Sequence, residues 1–336
     1  MSNITISENA ADLAALPADI LASPLSRFTS DGLFTGRYAG PGRGKFEADF
    51  EAGLARLYAR PDTPRLSGVQ IKAPMYLDDD GLLSPSSGLP FTQILKPAGT
   101  SGFQALPVIE YLAMALGRAS GLDAPATALV PMPDGMPPAL LVERFDIRTS
   151  PEDERRFALE DLCSVLDLPP DAKYDGTIER VARAVRPLST SPEDDLLLLI
   201  RRALFAWLIG DGDMHLKNMA LLKIAEPAGD RFSSIRLAPL YDAVTTKVFP
   251  NLEHDRMALK LNGKDDRLRR SDFMQVAATA GLSAAGSAAA IDDLLLRFAG
   301  AVEQISLPKL SDLDRDIQER AAMMIALGKE RVANLA

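Results

Sequence analysis

The stretch from Ser191 to Ile209 carries the clearest helical spacing in the chain, and it ends abruptly at Gly210, where the densest polar cluster begins. Ser191 suits an N-cap, Pro192 the first helical position, and Glu193, Asp194 and Asp195 the positive end of the helix macrodipole. Leu197, Ile200, Leu204 and Leu208 form one apolar stripe, and Gly210 stops the helix. The cluster itself reads Gly210-Asp211-Gly212-Asp213-Met214-His215-Leu216-Lys217-Asn218. Two short strand candidates follow, Met219 to Ile224 and Ser234 to Leu240. The fold must therefore hold a polar loop between the end of an apolar helix and the start of a strand.

The rest of the chain divides by character. Gly32 to Gly44 is glycine-rich with little periodicity and reads as loop or loosely packed entry structure. Val69 to Leu77 and Phe91 to Lys96 read as strands, with turn chemistry at Asp78-Asp79-Asp80-Gly81. Gln104 to Ser120 reads as a helix, with Pro107 in its opening turns and Gly121 just past its end. Ala126 to Met132 and Ala139 to Phe145 read as a hairpin around Pro133-Asp134-Gly135. After Asp146 the spacing turns helical, at Phe157 to Leu166, at Thr177 to Val185, and from Ser271 to the C-terminus. With 336 residues, at about 150 per domain, the expectation is an α+β protein of two unequal lobes: a β-rich lobe over 1–146 and a mainly helical lobe over 147–336.

Composition removes several classes of function. The net charge of -9 argues against a broad phosphate-binding surface and hence against direct nucleic-acid binding. The lone cysteine, Cys163, excludes an internal disulfide and multi-cysteine metal sites, and reads as a small core residue. Two histidines, His215 and His254, are too few for histidine-rich zinc chemistry. No Lys or Arg precedes Arg27, so no basic region of a secretory signal stands before the apolar stretch Ala10 to Leu21. The most apolar window, Leu196 to Ile209, is shorter than the roughly 20 residues of a bilayer crossing. The expectation is a soluble, cytoplasmic chain with no membrane partner.

An isolated Asp-Gly-Asp is by itself a turn former. Here the spacing adds something, because Asp213 and Asn218 are five apart. The protein-kinase catalytic loop has that spacing, with the Asp accepting the substrate hydroxyl proton and the Asn holding Mg²⁺. Of the six asparagines, only Asn218 has an Asp five residues before it, which selects Asp213 over Asp211 as the base. If the two downstream strands pair as a hairpin, the chain returns from Asn218 to the same end at Asp242, a second oxygen ligand. Gln93-Ile94-Leu95-Lys96 is similar to strands whose lysine meets nucleotide phosphates, and Glu110 on the next helix is placed either to pair with Lys96 or to face solvent. Lys217 is placed to steady a phosphate or to be solvated. Leu66 to Lys72 lies where a phosphate-covering loop belongs, but it has one glycine where a G-x-G-x-x-G loop has three. There is no G-x-S-x-G elbow and no G-x-x-x-x-G-K-[ST] loop, so the hydrolase and P-loop NTPase readings lack an anchor.

Seven ordered segments now resemble one family. They are Leu66-Ser67-Gly68-Val69-Gln70-x-Lys72, Ile94-Leu95-Lys96-Pro97, Val142-Glu143-Arg144-Phe145-Asp146, Glu160-Asp161-Leu162-Cys163, Leu168-Pro169-Pro170-x-x-Lys173-Tyr174, Gly210-x-x-Asp213-x-His215-x-Lys217-Asn218 and Pro239-x-Tyr241-Asp242. The chain is similar to the HipA-type serine/threonine kinases, the toxins of bacterial type II toxin–antitoxin modules. The resemblance implies a bilobal kinase-like fold that binds ATP and Mg²⁺. It implies Asp213 as base, Asn218 and Asp242 on the metal, Lys96 on the phosphates, and the backbone from Glu143 to Phe145 as the adenine hinge. Ser67, Gly68 and Val69 would form the phosphate loop, with Ser67 autophosphorylated, and His215 and Lys217 would lie by the nucleotide. The implied partners are a helix-turn-helix, HipB-like antitoxin, a small HipS-like companion, and an aminoacyl-tRNA synthetase as substrate. About sixty-five residues precede Ser67, which resembles the short HipT form, and Arg65 stands where some members have a second serine. A small-molecule kinase of the aminoglycoside or choline type and a kinase-fold binding module are the competing readings.

Overall fold

The computed structural model describes residues 24–48, 70–86, 92–99, 102–150, 153–225, 231–310 and 313–335, with side chains left aside at 148–150 and 153–155. Thirteen strands fall among these residues: β1 Thr29–Ser30, β2 Leu33–Phe34, β3 Arg37–Tyr38, β4 Ala73–Leu77, β5 Leu82–Pro85, β6 Gln93–Lys96, β7 Thr127–Val130, β8 Ala139–Glu143, β9 Ile147–Ser150, β10 Asp153–Arg156, β11 Ala158–Asp161, β12 Ala220–Ala225 and β13 Phe232–Leu237. The longer helices are α1 Leu106–Ala119, α2 Ile178–Val185, α3 Pro192–Ile209, α4 Arg270–Thr279, α5 Ala284–Gln304 and α6 Arg315–Leu335.

The first eight strands make one sheet in the order β1-β2-β7-β8-β6-β4-β5-β3. β6 lies inside it, antiparallel to β4 and β8, with Lys96 opposite Leu140. The expected hairpin exists: β7 pairs antiparallel with β8, and Asp134 and Gly135 take positive φ of 58° and 62° in the turn. α1 covers this sheet, carries Pro107 in its first turn, and ends before Gly121 at φ 78°. Its buried face joins β7 and β8 to the helices of the second half in a continuous apolar core. A separate cluster, with Met75, Leu83 and Leu95 at its heart, fills the opposite face of the sheet.

Two sequence expectations are corrected. Gly32 to Gly44 was expected to be loop or loosely packed entry structure, yet it carries β2 and β3, which with β1 just before them form both edges of the sheet. Asp31 and Gly32, at φ 48° and 81°, make the turn between β1 and β2. Strands this short leave no alternation to read. Phe157 to Leu166 was expected to be a helix, but Ala158–Asp161 is β11, antiparallel to β12, and only Leu162–Val165 is helical. Backbone pairing with a strand some sixty residues away overrides the local preference, and Asp161 caps the short helix by accepting from the Ser164 amide at 3.0 Å.

A helical character was expected from Asp146 onward, yet β9 and β10 pair antiparallel directly after it; the helices from Thr177 onward form where their spacing predicts. Thr177 caps α2 through the Arg180 amide. α3 starts at Pro192 and ends at Gly210, which holds φ 74°. Of the expected stripe Ile200, Leu204 and Leu208 are buried and Leu197 is half-buried, and burial extends well beyond it, to Asp195 and Arg202. Asp195, expected only to complement the helix dipole, accepts from the Leu237 amide at 3.0 Å and from Arg236 at 3.1 Å, tying α3 to β13. β12 and β13 pair antiparallel, as predicted. Cys163 is buried and His254 is exposed. Among the described residues no helix is long and apolar enough to cross a membrane.

Candidate active site

The turn from α3 into β12 is the floor of the site. Asp211 caps it from within, taking the Asp213 amide on its Oδ1 at 2.8 Å. The Asp213 carbonyl accepts from the His215 amide at 2.7 Å and from the Asn218 side-chain amide at 2.8 Å. Base candidate and ligand candidate are thereby locked together, and Asn218 keeps its side-chain oxygen as an acceptor. Buried Arg202, reaching out of α3, donates to the Asn218 carbonyl at 2.9 Å and to the Ala238 carbonyl at 3.2 Å. One guanidinium thus pins both ends of the β12–β13 hairpin, and Asp242 emerges beside the loop.

Asp242 sits at φ 53°, a conformation that Asp adopts more readily than most residues. One carboxylate oxygen accepts from Lys96 and the other from Lys72 at 3.1 Å. Lys96 also donates to Glu110 of α1, and only 3% of its side chain is exposed. The pairing of Lys96 with Glu110 is therefore made, and the solvent-facing alternative for Glu110 is not realised. Burial works against ionising Asp242, but the Lys96 and Lys72 ammonium groups outweigh it and hold the carboxyl well below the usual range. Burial would likewise lower Lys96, and its two carboxylate partners instead raise it above the ordinary lysine value.

Asp213 is 8% exposed. Burial raises its pKa, opposed by a 2.6 Å hydrogen bond from the Tyr174 hydroxyl and by the nearby Lys173. Asp242 and Asp255 also act on it electrostatically. His215 lies behind the loop, 2% exposed, its ring edge-on to Tyr174 and its Nε2 3.7 Å from Asp213. Neither ring nitrogen has a hydrogen-bond partner among the described residues, and burial pushes its pKa down to about 4. Lys217, which the sequence placed either to steady a phosphate or to be solvated, donates to Asp161 at 2.6 Å, with 38% of its side chain exposed.

Glu143 and Phe145 lie where the sheet passes into the second half of the chain. The Glu143 carboxylate accepts from the Leu25 amide at 3.2 Å, and burial pushes its pKa up to about 8. Its own amide donates to Ala126. Phe145 packs on Tyr241, with ring centroids 5.7 Å apart, in a small apolar cluster with Leu222 and Ala238. Tyr241 in turn donates to the Lys217 carbonyl at 3.1 Å. Ser67, Gly68 and Val69 lie outside the described residues.

The structure thus brings Lys96, Asp213, Asn218 and Asp242 into one neighbourhood. Sequence reasoning gave no role to Lys72, Tyr174, Asp211 or Arg202. Lys72 and Tyr174 stood in quoted motifs, but only the fold reveals their partners. Among the described residues no group of three His, Cys, Asp or Glu is arranged as a metal cluster; the site combines one carboxylate with an amide oxygen.

A β-rich half, a helical half, and an Asp242 that joins the Lys96–Glu110 pair to the neighbourhood of the Asp213–Asn218 loop make a mixed α+β, kinase-like fold. The chain belongs to the family of HipA-like C-terminal domains, whose model matches residues 65–303. It is 33% identical over 238 residues to "Putative kinase Y4mE" of Sinorhizobium fredii (strain NBRC 101917 / NGR234), covering 66% of this chain and 54% of that protein. A second protein of that organism, "Putative kinase Y4dM", is 34% identical over 243 residues, 67% of this chain and 56% of the relative. The chain therefore spans about half the length of the curated relatives it matches. Among solved structures, its fold is similar to a chain of the Shewanella oneidensis MR-1 toxin–antitoxin complex of HipA, HipB and operator DNA. The TM-score is 0.67 at 20% identity, over 85% of this chain and 70% of that one.

Proposed function

We propose that the chain is an ATP- and Mg²⁺-dependent protein serine/threonine kinase and the toxin of a toxin–antitoxin module. The observation that carries this reading is Asp242, bound by the Lys96 that also holds Glu110 and close enough to the Asp213–Asn218 loop to act electrostatically on Asp213 and His215. The side chains fit the implied ligands. The Asp242 carboxylate and the Asn218 amide oxygen are hard donors suited to Mg²⁺, and Lys96 and Lys72 are cations suited to phosphates. When bound, Mg-ATP supplies the phosphoryl group and the cation that neutralises its oxygens.

The residues of the chain would do the rest. Asp213 accepts the proton of the acceptor hydroxyl as the oxygen–phosphorus bond forms and the bond to the leaving diphosphate breaks. Lys96, held by Glu110, orients the phosphates, and His215 and Lys217, on the same loop as the base, are the proposed nucleotide-side residues. The backbone from Glu143 to Phe145 would hold adenine through the groups not used by the sheet. Ser67 remains the proposed autophosphorylation site, since a dianionic phosphoserine competes with ATP's own phosphates for the same cations. The proposed substrate is an aminoacyl-tRNA synthetase and the proposed partners are a HipB-like antitoxin and a small HipS-like companion. With a net charge of -9, DNA contact is assigned to the antitoxin.

The test is incubation of a lysate with labelled ATP and either wild type or Asp213→Ala. Protein labelling by wild type should fall at least a hundredfold in the variant, since base catalysis contributes about 10²–10⁴-fold. Equal labelling by the variant rejects Asp213 as base. Label confined to small molecules would favour the aminoglycoside or choline type of kinase.

A further inference from the structure

The segment Leu168-Pro169-Pro170-x-x-Lys173-Tyr174 has no role in the chemistry above, yet it is docked on the catalytic loop. The Leu216 amide donates to the Lys173 carbonyl at 3.0 Å. Gly176 is pressed so close that a Cβ there would lie 3.1 Å from the Leu216 side chain. The Tyr174 ring meets His215 edge-on at 5.2 Å between centroids, and the Lys173 ammonium lies 5.0 Å from the centre of the Tyr174 ring. From this seat the Tyr174 hydroxyl donates to Asp213 Oδ1 at 2.6 Å.

We propose that Tyr174 is a positioning residue for the base: its hydroxyl fixes the Asp213 carboxylate so that one oxygen is occupied and the other faces the acceptor hydroxyl. This rests on the kinase reading and adds to it. Three hydrogen bonds fix the Asp213 backbone, from His215, from Asn218 and to Asp211. They leave the side-chain torsions free to turn. His215 Nε2, at 3.7 Å, is too far to hold the carboxylate. The phenol is the group that does so, and a hydrogen bond to a charged acceptor is among the stronger ones. A carboxylate already aligned with the reacting hydroxyl needs no reorientation at the moment of transfer, so the effect belongs in the turnover step and not in nucleotide binding.

Tyr174→Phe keeps the ring and removes only the hydroxyl. The expected result is a kcat lowered about tenfold or more, with the KM for ATP and calorimetric Mg-ATP binding within about twofold of wild type. A double-mutant cycle with Asp213→Ala, which removes the acceptor oxygen, should also show that the two substitutions affect the unfolding constant non-multiplicatively, because the residues share one bond. Unchanged kcat in an active enzyme overturns the proposal alone, as does a raised KM at unchanged kcat, or a multiplicative cycle. Absence of phosphoryl transfer by wild type, even with a coupled cycle, removes the base and overturns both readings.

Discussion

His215 is a buried imidazole that the surroundings hold neutral. Its ordinary value is 6.5, and burial together with the Lys173 charge brings it to about 4. Because the folded state binds this proton more weakly than the unfolded chain, the stabilisation is complete above pH 6.5 and is lost as pH falls towards 4. The loss amounts to about 3 kcal/mol at most. Urea unfolding at pH 7 and pH 4.5 should therefore show a larger drop for wild type than for His215→Gln; parallel drops would mean that His215 does not titrate in this way. Among the residues of the site, Asp213, Asn218 and Asp242 were legible in the sequence because a five-residue spacing and a strand end are local signals. Tyr174 was not, because its bond spans 39 positions and depends on how one loop docks on another.

Gly212 belongs to the scale of the element, since it decides whether the α3–β12 turn closes. A Cβ there would lie 2.2 Å from the Asp255 carboxylate and 2.4 Å from the Thr246 hydroxyl. Gly212→Ala should push Asp213 away from Asn218 and Tyr174, costing about 1–3 kcal/mol of stability. It should also reduce phosphoryl transfer more than its loss of stability explains. Thermal unfolding measured alongside labelled-ATP assays separates the two effects, and wild-type activity in this variant would show that the loop tolerates the shift. α3 and the hairpin after it were readable because their caps, proline, glycine and alternation act within a few residues. β11 was not, because Leu159, Glu160 and Asp161 acquire strand geometry only from the partner they meet at Leu222, Leu221 and Ala220.

At the scale of the molecule, the sheet, α1 and the segment that carries Asp242 meet at the Lys96–Glu110–Asp242 cluster, a span of 146 residues between Lys96 and Asp242. Anything that binds there should stabilise the whole fold. A hundredfold excess of Mg-ATP over its Kd should add about 2.7 kcal/mol and raise Tm by several degrees. Lys96→Met should lower the starting Tm, since Glu110 then stays buried without its cation, and should show no shift on addition of nucleotide. A full shift in Lys96→Met would separate nucleotide binding from this cluster. By itself the sequence determined the order of most elements, the end of α3 at Gly210 and the types of residue that line the site, since these follow from spacing, capping and turn preference between near neighbours. Only the tertiary structure decided that Glu110 faces inward, that Lys72 and Lys96 share Asp242, and that Tyr174 holds Asp213. Those choices depend on strand register and helix packing, and the burial that fixes them exists only after distant segments have met.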